Sequence, residues 1–226
     1  MSHVLAAVRP GVDGASVDPV ADAMAALLRA EVRRLDLAGR NTADAAQILA
    51  ALRAPDAVAA VVARDAVDDA GWDALLQGAP QPLVLVPEKG RVPERIDRIL
   101  IPLDGSAVAA EAVAEMVQVC AGAGLELIVL HVFDAGTVPA YWDQAAHARQ
   151  CWEQEFLARH CGIPGVRLHL RSGVAGEHVI DVADAERVDL IALAWSQRLG
   201  PGRAGTVRRT VAEATMPVAL IPVFSR

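Results

Sequence analysis

Apolar residues along the chain fall into short continuous runs, separated by longer stretches in which apolar residues recur at helical spacing. In the second part of the chain the runs are "RILIPLD", "LELIVLHVF", "VRLHLRS", "DLIALAW" and "PVALIPV". The stretches between them predict helices over 106–122, 140–161, 175–187 and 205–215. Continuous apolar strands that alternate with helices are typical of a parallel sheet covered on both faces, so the pattern predicts an α/β fold.

The first part of the chain repeats this pattern in a shorter form. "QPLVLVPEKG" (81–90) resembles "MPVALIPVFS" (216–225) at an offset of 135, and "VRRLDLAG" resembles "VRLHLRSG" at an offset of 134. "HVLAAV" (3–8) instead resembles "RILIPL" (98–103), at an offset of 95. The change of register, about 39 residues, predicts that the first copy lacks one strand and one helix, namely "LELIVLHVF" and the helical stretch after it.

The two copies predict two tandem domains, each a doubly wound parallel sheet. We expect a shortened domain over residues 1–90 and a complete one over 97–226. The segment "EKGRVPERID" (88–97) combines Gly, Pro and charged residues, and it is the predicted linker. Two similar sheets in one chain indicate an intramolecular pseudo-dimer, and a homodimer of whole chains is the alternative.

Composition narrows the function classes. Hydrophobic residues make up 54% of the chain, so a large core is expected. The net charge of −7 and the lack of a basic stripe argue against a nucleic-acid or membrane-surface binder. No apolar run reaches about 18 residues and the start does not resemble a signal peptide, so we expect a cytoplasmic protein without a transmembrane helix.

Cysteine and histidine spacing gives little sign of metal or disulfide chemistry. Cys120, Cys151 and Cys161 are an odd number without C-x-x-C spacing, which predicts reduced thiols. His147 and Cys151 are four residues apart on a predicted helix, but no four-ligand set accompanies them, so no metal site is expected. His131 lies inside an apolar strand, and we expect a buried, hydrogen-bonded side chain.

The second copy resembles the universal stress protein family over residues 97–223. The resemblance rests on "RILIPLDGSAVAAEA", "ELIVLHVF" and "DLIALAWSQRLGPGRAGTVRRTVAEATMPVALIPV". It implies a five-stranded sheet of order 3-2-1-4-5, a tendency to dimerise through the last strand and, as in some members, binding of ATP. The first copy matches only in its strand–helix skeleton, so the resemblance is to a tandem form with a shortened, degenerate N-terminal copy. A role in stress response or regulation is implied by the resemblance alone.

A sheet of that order brings its first and fourth strands together at a topological switch point, where ligands collect beyond the strand ends. Asp104 follows the first strand, and "GPGRAG" (200–205) follows the fourth. Thr206 then opens a helix, whose free N–H groups and positive dipole end attract an anion. These features permit a nucleotide in a crevice at this place, with Asp104 accepting a hydrogen bond from a ribose hydroxyl, and the resemblance implies that the nucleotide is ATP.

The resemblance and the crevice together give a set of expected cofactor-binding residues. Arg198 or Arg203 would pair with phosphate oxygens, and magnesium would accompany ATP. The expected set is Pro102, Leu103, Asp104, Val132, Ala194, Arg203, Gly205, Thr206 and Val207.

The chain departs from the family's nucleotide-binding pattern, which is G-x-x-G, nine residues, then G-[ST]. Ala194 and Gln197 stand where the two leading glycines would be, and seven residues separate Gln197 from Gly205. Side chains at these positions would keep the backbone away from phosphates. Three hypotheses therefore stay open: a non-catalytic nucleotide sensor, a nucleotide-independent interaction scaffold, and a weak ATP hydrolase. In the scaffold hypothesis the glycine turn and Asp104 only cap helices.

Three other nucleotide sites are excluded or not expected. "GPGRAG" is a literal G-x-G-x-x-G, but it follows the fourth strand near the end of the chain, which excludes a dinucleotide fingerprint. No G-x-x-x-x-G-K-[ST] occurs, which excludes a P-loop. The first copy lacks a glycine-rich turn, and its fourth strand runs into four carboxylates that would repel phosphate: Asp65, Asp68, Asp69 and Asp73.

Overall fold

A computed structural model describes residues 1–133, 146–162, 165–198 and 203–223, with only the backbone described at 146–149 and at 203. The strands in these residues are β1 (His3–Val8), β2 (Glu31–Asp36), β3 (Ala57–Ala63), β4 (Leu83–Val86), β5 (Arg98–Pro102), β6 (Glu126–Phe133), β7 (Arg167–Ser172), β8 (Leu190–Trp195) and β9 (Val218–Pro222). The helices are α1 (Gly14–Leu28), α2 (Thr42–Leu52), α3 (Asp69–Gly78), α4 (Ala107–Gly122), α5 (Ala146–His160), α6 (Ala175–Ala185) and α7 (Arg203–Glu213). We call β1 to β4 with their helices the first half, and β5 to β9 with theirs the second half.

All these strands belong to one sheet of order β2-β1-β3-β4-β9-β8-β5-β6-β7. Neighbours run parallel except β4 and β9, which are antiparallel. The second half therefore has the expected 3-2-1-4-5 order. The first half, within the described residues, has one strand and one helix fewer. The α/β prediction and the shortened first copy are both confirmed.

The place of β2 corrects the sequence alignment of the two copies. By similarity of sequence β2 matched β7, but in the sheet it lies directly beside β1, as β6 lies beside β5. His3 pairs with Glu31 and Arg98 pairs with Glu126, so the offset of 95 holds from β1 through α1 to β2. Within the described residues the sheet ends at β2, so no strand lies beside β2 in the way that β7 lies beside β6. The elements without a counterpart are therefore α5 and β7.

The two halves join through their last strands. Leu83 pairs with Leu220, and Leu85 pairs with Val218. The offset of 135 relates Leu83 to Val218 and Leu85 to Leu220, so each pair is the counterpart of the other. This is a local pseudo-twofold relation between β4 and β9. Both edges of β9 are occupied within the chain, so dimerisation through that strand would require β4 to leave. Association of two chains stays a prediction. The domain limits also stay a prediction, and the predicted linker lies within residues 87–97, which contain neither helix nor strand.

The central strands are apolar on both faces because helices cover both sides of the sheet. Every residue of β1, β4 and β9 is buried. On one face α6 packs against α7 and α2 packs against α3. Among the described helices, none combines the length and the apolar character that crossing a membrane requires.

Candidate functional site

A cavity of about 330 Å³ lies at the carboxyl ends of β5 and β8, where the sheet order switches. We call it the crevice. Elements from both faces of the sheet enclose it, because α4 leaves β5 on one face while α6 and α7 lie on the other. Seven of the expected residues line it: Pro102, Leu103, Asp104, Val132, Ala194, Thr206 and Val207.

The other two expected residues are Gly205 and Arg203. Gly205 does not line the crevice, and the side chain of Arg203 is not described. Gly205 is exposed in the first turn of α7, and a Cβ built there meets no atom within 4 Å. Packing of the described residues therefore does not require glycine at 205. The backbone of Arg203 begins α7, but its side chain lies outside the described residues, as do residues 199–202 of the glycine turn.

Sequence reasoning missed part of the wall. Ala175 and Val179, which are four residues apart on one face of α6, line the crevice opposite α4. Ser106 and Ser196 add hydroxyl groups at its rim, and Arg198, an expected phosphate ligand, also lines it. The apolar i, i+4 spacing on the helix before the fourth strand was the available signal for the α6 contribution.

Asp104 shapes the turn between β5 and α4 rather than capping the helix. One of its carboxylate oxygens accepts a hydrogen bond from the backbone N–H of Ser106 at 2.9 Å. The hydroxyl of Ser106 in turn accepts from the N–H of Ala109 at 3.2 Å, which makes Ser106 the N-cap. The alternative of Asp104 as N-cap is therefore wrong, and its carboxylate lies at the wall of the crevice.

The two glycine positions of the family pattern differ in backbone conformation. Gln197 has a φ of +59°, in the left-handed region that favours glycine, whereas Ala194 lies within β8 and is not among the positive-φ residues. The side chain of Gln197 donates to the carbonyl of Ala79 in the first half at 2.6 Å. Glycine would adopt this backbone conformation at position 197 without strain, whereas Gln197 carries a side chain there that makes a hydrogen bond to the first half.

His131 lies behind the turn, on the face of β6 opposite Val132. It is 7% exposed, and its Nδ1–H donates to the carbonyl of Leu103 at 2.8 Å. Burial lowers the pKa of His131 below its ordinary value, so the imidazole is neutral near pH 7. Gly105, with a φ of +80°, passes so close that a Cβ would lie 3.4 Å from the His131 ring. The expected buried, hydrogen-bonded histidine is confirmed.

Thiol and metal chemistry find little basis in the described residues. Burial raises the pKa of Cys120 to about 12 and that of Cys161 to about 11, so both thiols are protonated near neutral pH. Within the ranges given above, no group of three or more His, Cys, Asp or Glu side chains is placed to hold a metal ion. The side chain of His147, the partner in the expected Cys151 pair, lies outside the described residues.

The crevice combines apolar walls with a few polar groups, which is typical of small-molecule sites. Leu103, Val132 and Ala194 offer a surface for a flat apolar group. Asp104 supplies a hydrogen-bond acceptor, while Arg198 and Thr206 supply donors, one of them cationic. The arrangement suits a molecule with an apolar ring, a hydroxyl and an anionic end.

Comparisons with known proteins agree with the fold. A universal stress protein from Archaeoglobus fulgidus DSM 4304 superposes with a TM-score of 0.60 at 14% identity, covering 99% of this chain and 86% of that one. A functionally unknown protein of Pseudomonas aeruginosa PAO1 gives 0.61 at 15% identity, covering 98% and 82%. A putative universal stress protein of Pseudomonas aeruginosa UCBPP-PA14 also gives 0.61 at 15%, covering 97% and 82%. At such identities these similarities show the fold.

No curated protein matches the chain in sequence. The sequence model of the universal stress protein family, by contrast, matches residues 95–222, which is more than half of the chain. The matched residues include every strand of the 3-2-1-4-5 sheet and all the residues that line the crevice except Val223. The chain therefore belongs to the universal stress protein family.

Proposed function

We propose that this protein is a non-catalytic stress-response regulator that binds an adenine nucleotide in the crevice of its second half. The observation that supports the proposal best is the meeting of Asp104 and Thr206 at one apolar cavity. They come from different strand ends, more than a hundred residues apart in the chain. A helix beginning at one side of such a cavity favours an anionic group there.

The residues of the crevice fit the parts of a nucleotide. Leu103, Val132 and Ala194 would contact the base, and Asp104 would accept from a ribose hydroxyl. Thr206 and Arg198 would donate to phosphate oxygens. A cavity of about 330 Å³ lies at the lower end of the range for small-molecule pockets. The bound nucleotide would act as a signal, since we assign no nucleophile and no general base at the site.

A nucleotide-independent interaction scaffold is the second candidate, and one observation favours it. Gln197, at a glycine position of the nucleotide-binding pattern, bonds the first half through its side chain. That position therefore serves contact between the halves. In this candidate the crevice is a remnant and the protein acts through its surface.

Titration calorimetry with ATP, with and without magnesium, tests the proposal, together with mass spectrometry of the purified protein for retained nucleotide. The proposal predicts saturable binding that weakens at least about tenfold in Asp104→Asn and in Thr206→Val, since each removes one polar contact. The matched controls Asp73→Asn and Thr42→Val lie in the first half and should bind as the wild type does.

Each alternative has its own outcome. The scaffold predicts no heat of binding and no retained nucleotide. A hydrolase predicts phosphate release that stops in the Asp104 and Thr206 variants, whereas the regulator predicts binding without release.

A further inference from the structure

The loop that follows β8 is attached to the end of a helix in the first half. The indole Nε1–H of Trp195 donates to the carbonyl of Leu76 at 2.7 Å. Two residues on, the amide of Gln197 donates to the carbonyl of Ala79. Leu76 lies in the last turn of α3 and Ala79 is its C-cap, so both bonds satisfy carbonyls that a helix end leaves unpaired.

The first half makes the reciprocal contact. The guanidinium of Arg64 donates to the carbonyls of Val211 and Ala212, both at 2.7 Å, in the last turn of α7. A cation at a helix C-terminus is also favoured by the helix dipole. Each half thus caps the last helix of the other.

The two contacts occupy equivalent places in the two halves. Ala60 pairs with Leu83 in the first half as Ile191 pairs with Val218 in the second. Arg64 lies four residues after Ala60, and Trp195 lies four residues after Ile191. The acceptor of Trp195 is Leu76 and the acceptor of Arg64 is Val211, and these two acceptors are 135 residues apart, which is also the offset between β4 and β9. The pseudo-twofold relation therefore extends from the strands to the helix ends, although the donor side chains differ.

These contacts hold two walls of the crevice. Trp195 lines the cavity and is only 3% exposed, and Gln197 lies between Ser196 and Arg198, which also line it. The helix that Arg64 caps carries Thr206 at its other end. A change in the docking of the halves would therefore move the wall that follows β8 and the wall formed by α7.

We propose that the first half regulates the crevice through this pair of reciprocal caps, with Arg64 as the positioning residue. The proposal rests on the proposed function, because the regulated event is nucleotide binding. Occupation of the crevice stabilises the capped arrangement, and by linkage the capped arrangement raises affinity for the nucleotide. A partner or modification that separates α3 from the loop after β8 would lower that affinity.

A ligand-free experiment tests the mechanical part. Hydrogen exchange is measured by mass spectrometry on the full chain for wild type, Arg64→Met and Arg64→Lys. In Arg64→Met we expect exchange to rise about tenfold along α7, including the turn at Thr206 that Arg64 does not touch. Arg64→Lys keeps a cationic donor and should restore most of the protection. The control Arg95→Met, at an exposed ion pair, should leave α7 unchanged.

Trp195→Phe tests the reciprocal cap while keeping an aromatic side chain at position 195. We expect exchange in the last turn of α3 to rise about tenfold, because the indole donor to Leu76 is lost. The control Trp152→Phe makes the same change on α5 and should leave α3 unchanged. Exchange that stays at wild-type values at Thr206 in Arg64→Met, or at α3 in Trp195→Phe, overturns the proposal.

A second arm adds ATP. In the wild type, ATP should protect the last turn of α3, which does not line the crevice, and Arg64→Met should bind ATP about tenfold more weakly than Arg64→Lys. Protection confined to the crevice, with equal affinity in both variants, overturns the coupling. A wild type that binds no ATP overturns the proposed function instead, and the ligand-free arm still decides whether the halves hold the crevice walls.

Discussion

The two halves share the arrangement of their central strands but differ at the carboxyl ends of those strands. In the second half, the ends of β5 and β8 border the open crevice. In the first half, the equivalent place between β1 and β3 is occupied by Arg9, which pairs with Asp13 and Asp65 at 2.6 and 2.7 Å. The offset of 95 places Arg9 where the second half has Asp104.

Arg9, Asp13 and Asp65 form an ion-pair cluster in the first half that is joined by several hydrogen bonds. Asp13 accepts from the backbone N–H, from Nε and from a terminal nitrogen of Arg9, and its side chain is only 3% exposed. Hydrogen bonding to Asp13 raises the pKa of Arg9 above its ordinary value, so the guanidinium stays charged. In the first half, three side chains thus form an ion-pair cluster at the place where the second half has a cavity.

The role of Asp65 in the structure differs from the one expected from the sequence. Asp65 was expected to repel phosphate by its charge, yet in the structure it pairs with Arg9. Asp13 precedes α1 without a side-chain capping bond, because its carboxylate binds Arg9 instead.

The largest effect is expected from Arg9→Met. This change leaves the buried Asp13 carboxylate without its cation, and removing one partner of a buried pair costs about 3–5 kcal/mol. Urea denaturation of the variant should show a loss of that size in the free energy of unfolding.

Two variants accompany that measurement. Arg34→Met removes an exposed ion pair with Asp18 and should cost less than about 1 kcal/mol. Arg9→Met combined with Asp13→Leu removes both charges and should recover part of the stability. A loss in Arg9→Met no larger than in Arg34→Met would show that the cluster does not stabilise the first half.

The second prediction transfers the cluster to the other half. The equivalents of Arg9, Asp13 and Asp65 are positions 104, 108 and 196, all three of which line the crevice. The triple variant Asp104→Arg, Val108→Asp, Ser196→Asp should fold, as judged by circular dichroism, and should lose ATP affinity by at least about a hundredfold. The new side chains would fill the cavity and replace the acceptor for ribose.

A matched control makes the same three changes at exposed positions away from the crevice: Asp22→Arg, Val92→Asp and Ser2→Asp. It keeps the net charge of the triple variant, and calorimetry should find wild-type affinity. Undiminished ATP binding in the triple variant of the crevice would contradict the comparison.

The third prediction concerns the glycine position that Gln197 occupies. Gln197→Ala and Gln197→Gly both lose the bond to Ala79, but only the alanine variant keeps a Cβ in the left-handed region. The glycine variant should therefore be more stable by about 1 kcal/mol in urea denaturation. Ala194→Gly, within β8, should instead destabilise the protein. Equal stability of the two variants at 197 would show that the position carries no backbone strain.

The last prediction concerns a pH dependence that His131 gives to the second half. His131 has a lowered pKa in the folded protein, so the unfolded chain binds a proton first as the pH falls through about 6.5. Stability should therefore decline below that pH, by at most about 1.4 kcal/mol per pH unit. The equivalent position in the first half is Asp36, an exposed residue.

Thermal unfolding at pH 7.5 and 5.5 measures this contribution. His131→Gln keeps a donor for the Leu103 carbonyl and should lose less stability on acidification than the wild type. His178→Gln, at an exposed histidine, should match the wild type. An acid loss in His131→Gln as large as in the wild type would show that His131 is not its source.

The α/β fold could be predicted because it depends on the alternation of apolar runs with helical stretches, whereas the 3-2-1-4-5 order of the second half was implied by the resemblance to the universal stress protein family. Apolar runs and the two offsets located the strands, and the switch-point rule placed Asp104 and Thr206 together. The position of β2 could not be predicted in this way, since β2 and β7 are both polar edge strands and resemble each other more than their places in the sheet do.

Contacts that depend on register or on backbone acceptors also escaped prediction. The Arg9–Asp65 pair joins residues 56 apart and forms only because β1 and β3 are neighbours. Trp195 and Arg64 donate to helix-end carbonyls, which any residue type presents, so no sequence signature marks them.

The number of nucleotides bound per chain tests the central claim most directly. Native mass spectrometry of the full chain with ATP should show one nucleotide per chain in the wild type and none in the Asp104→Arg, Val108→Asp, Ser196→Asp variant. Two nucleotides per wild-type chain would mean that the Arg9 cluster does not fill the first half. No nucleotide on the wild type, or one that persists in the triple variant, would contradict the assignment of the site to the crevice.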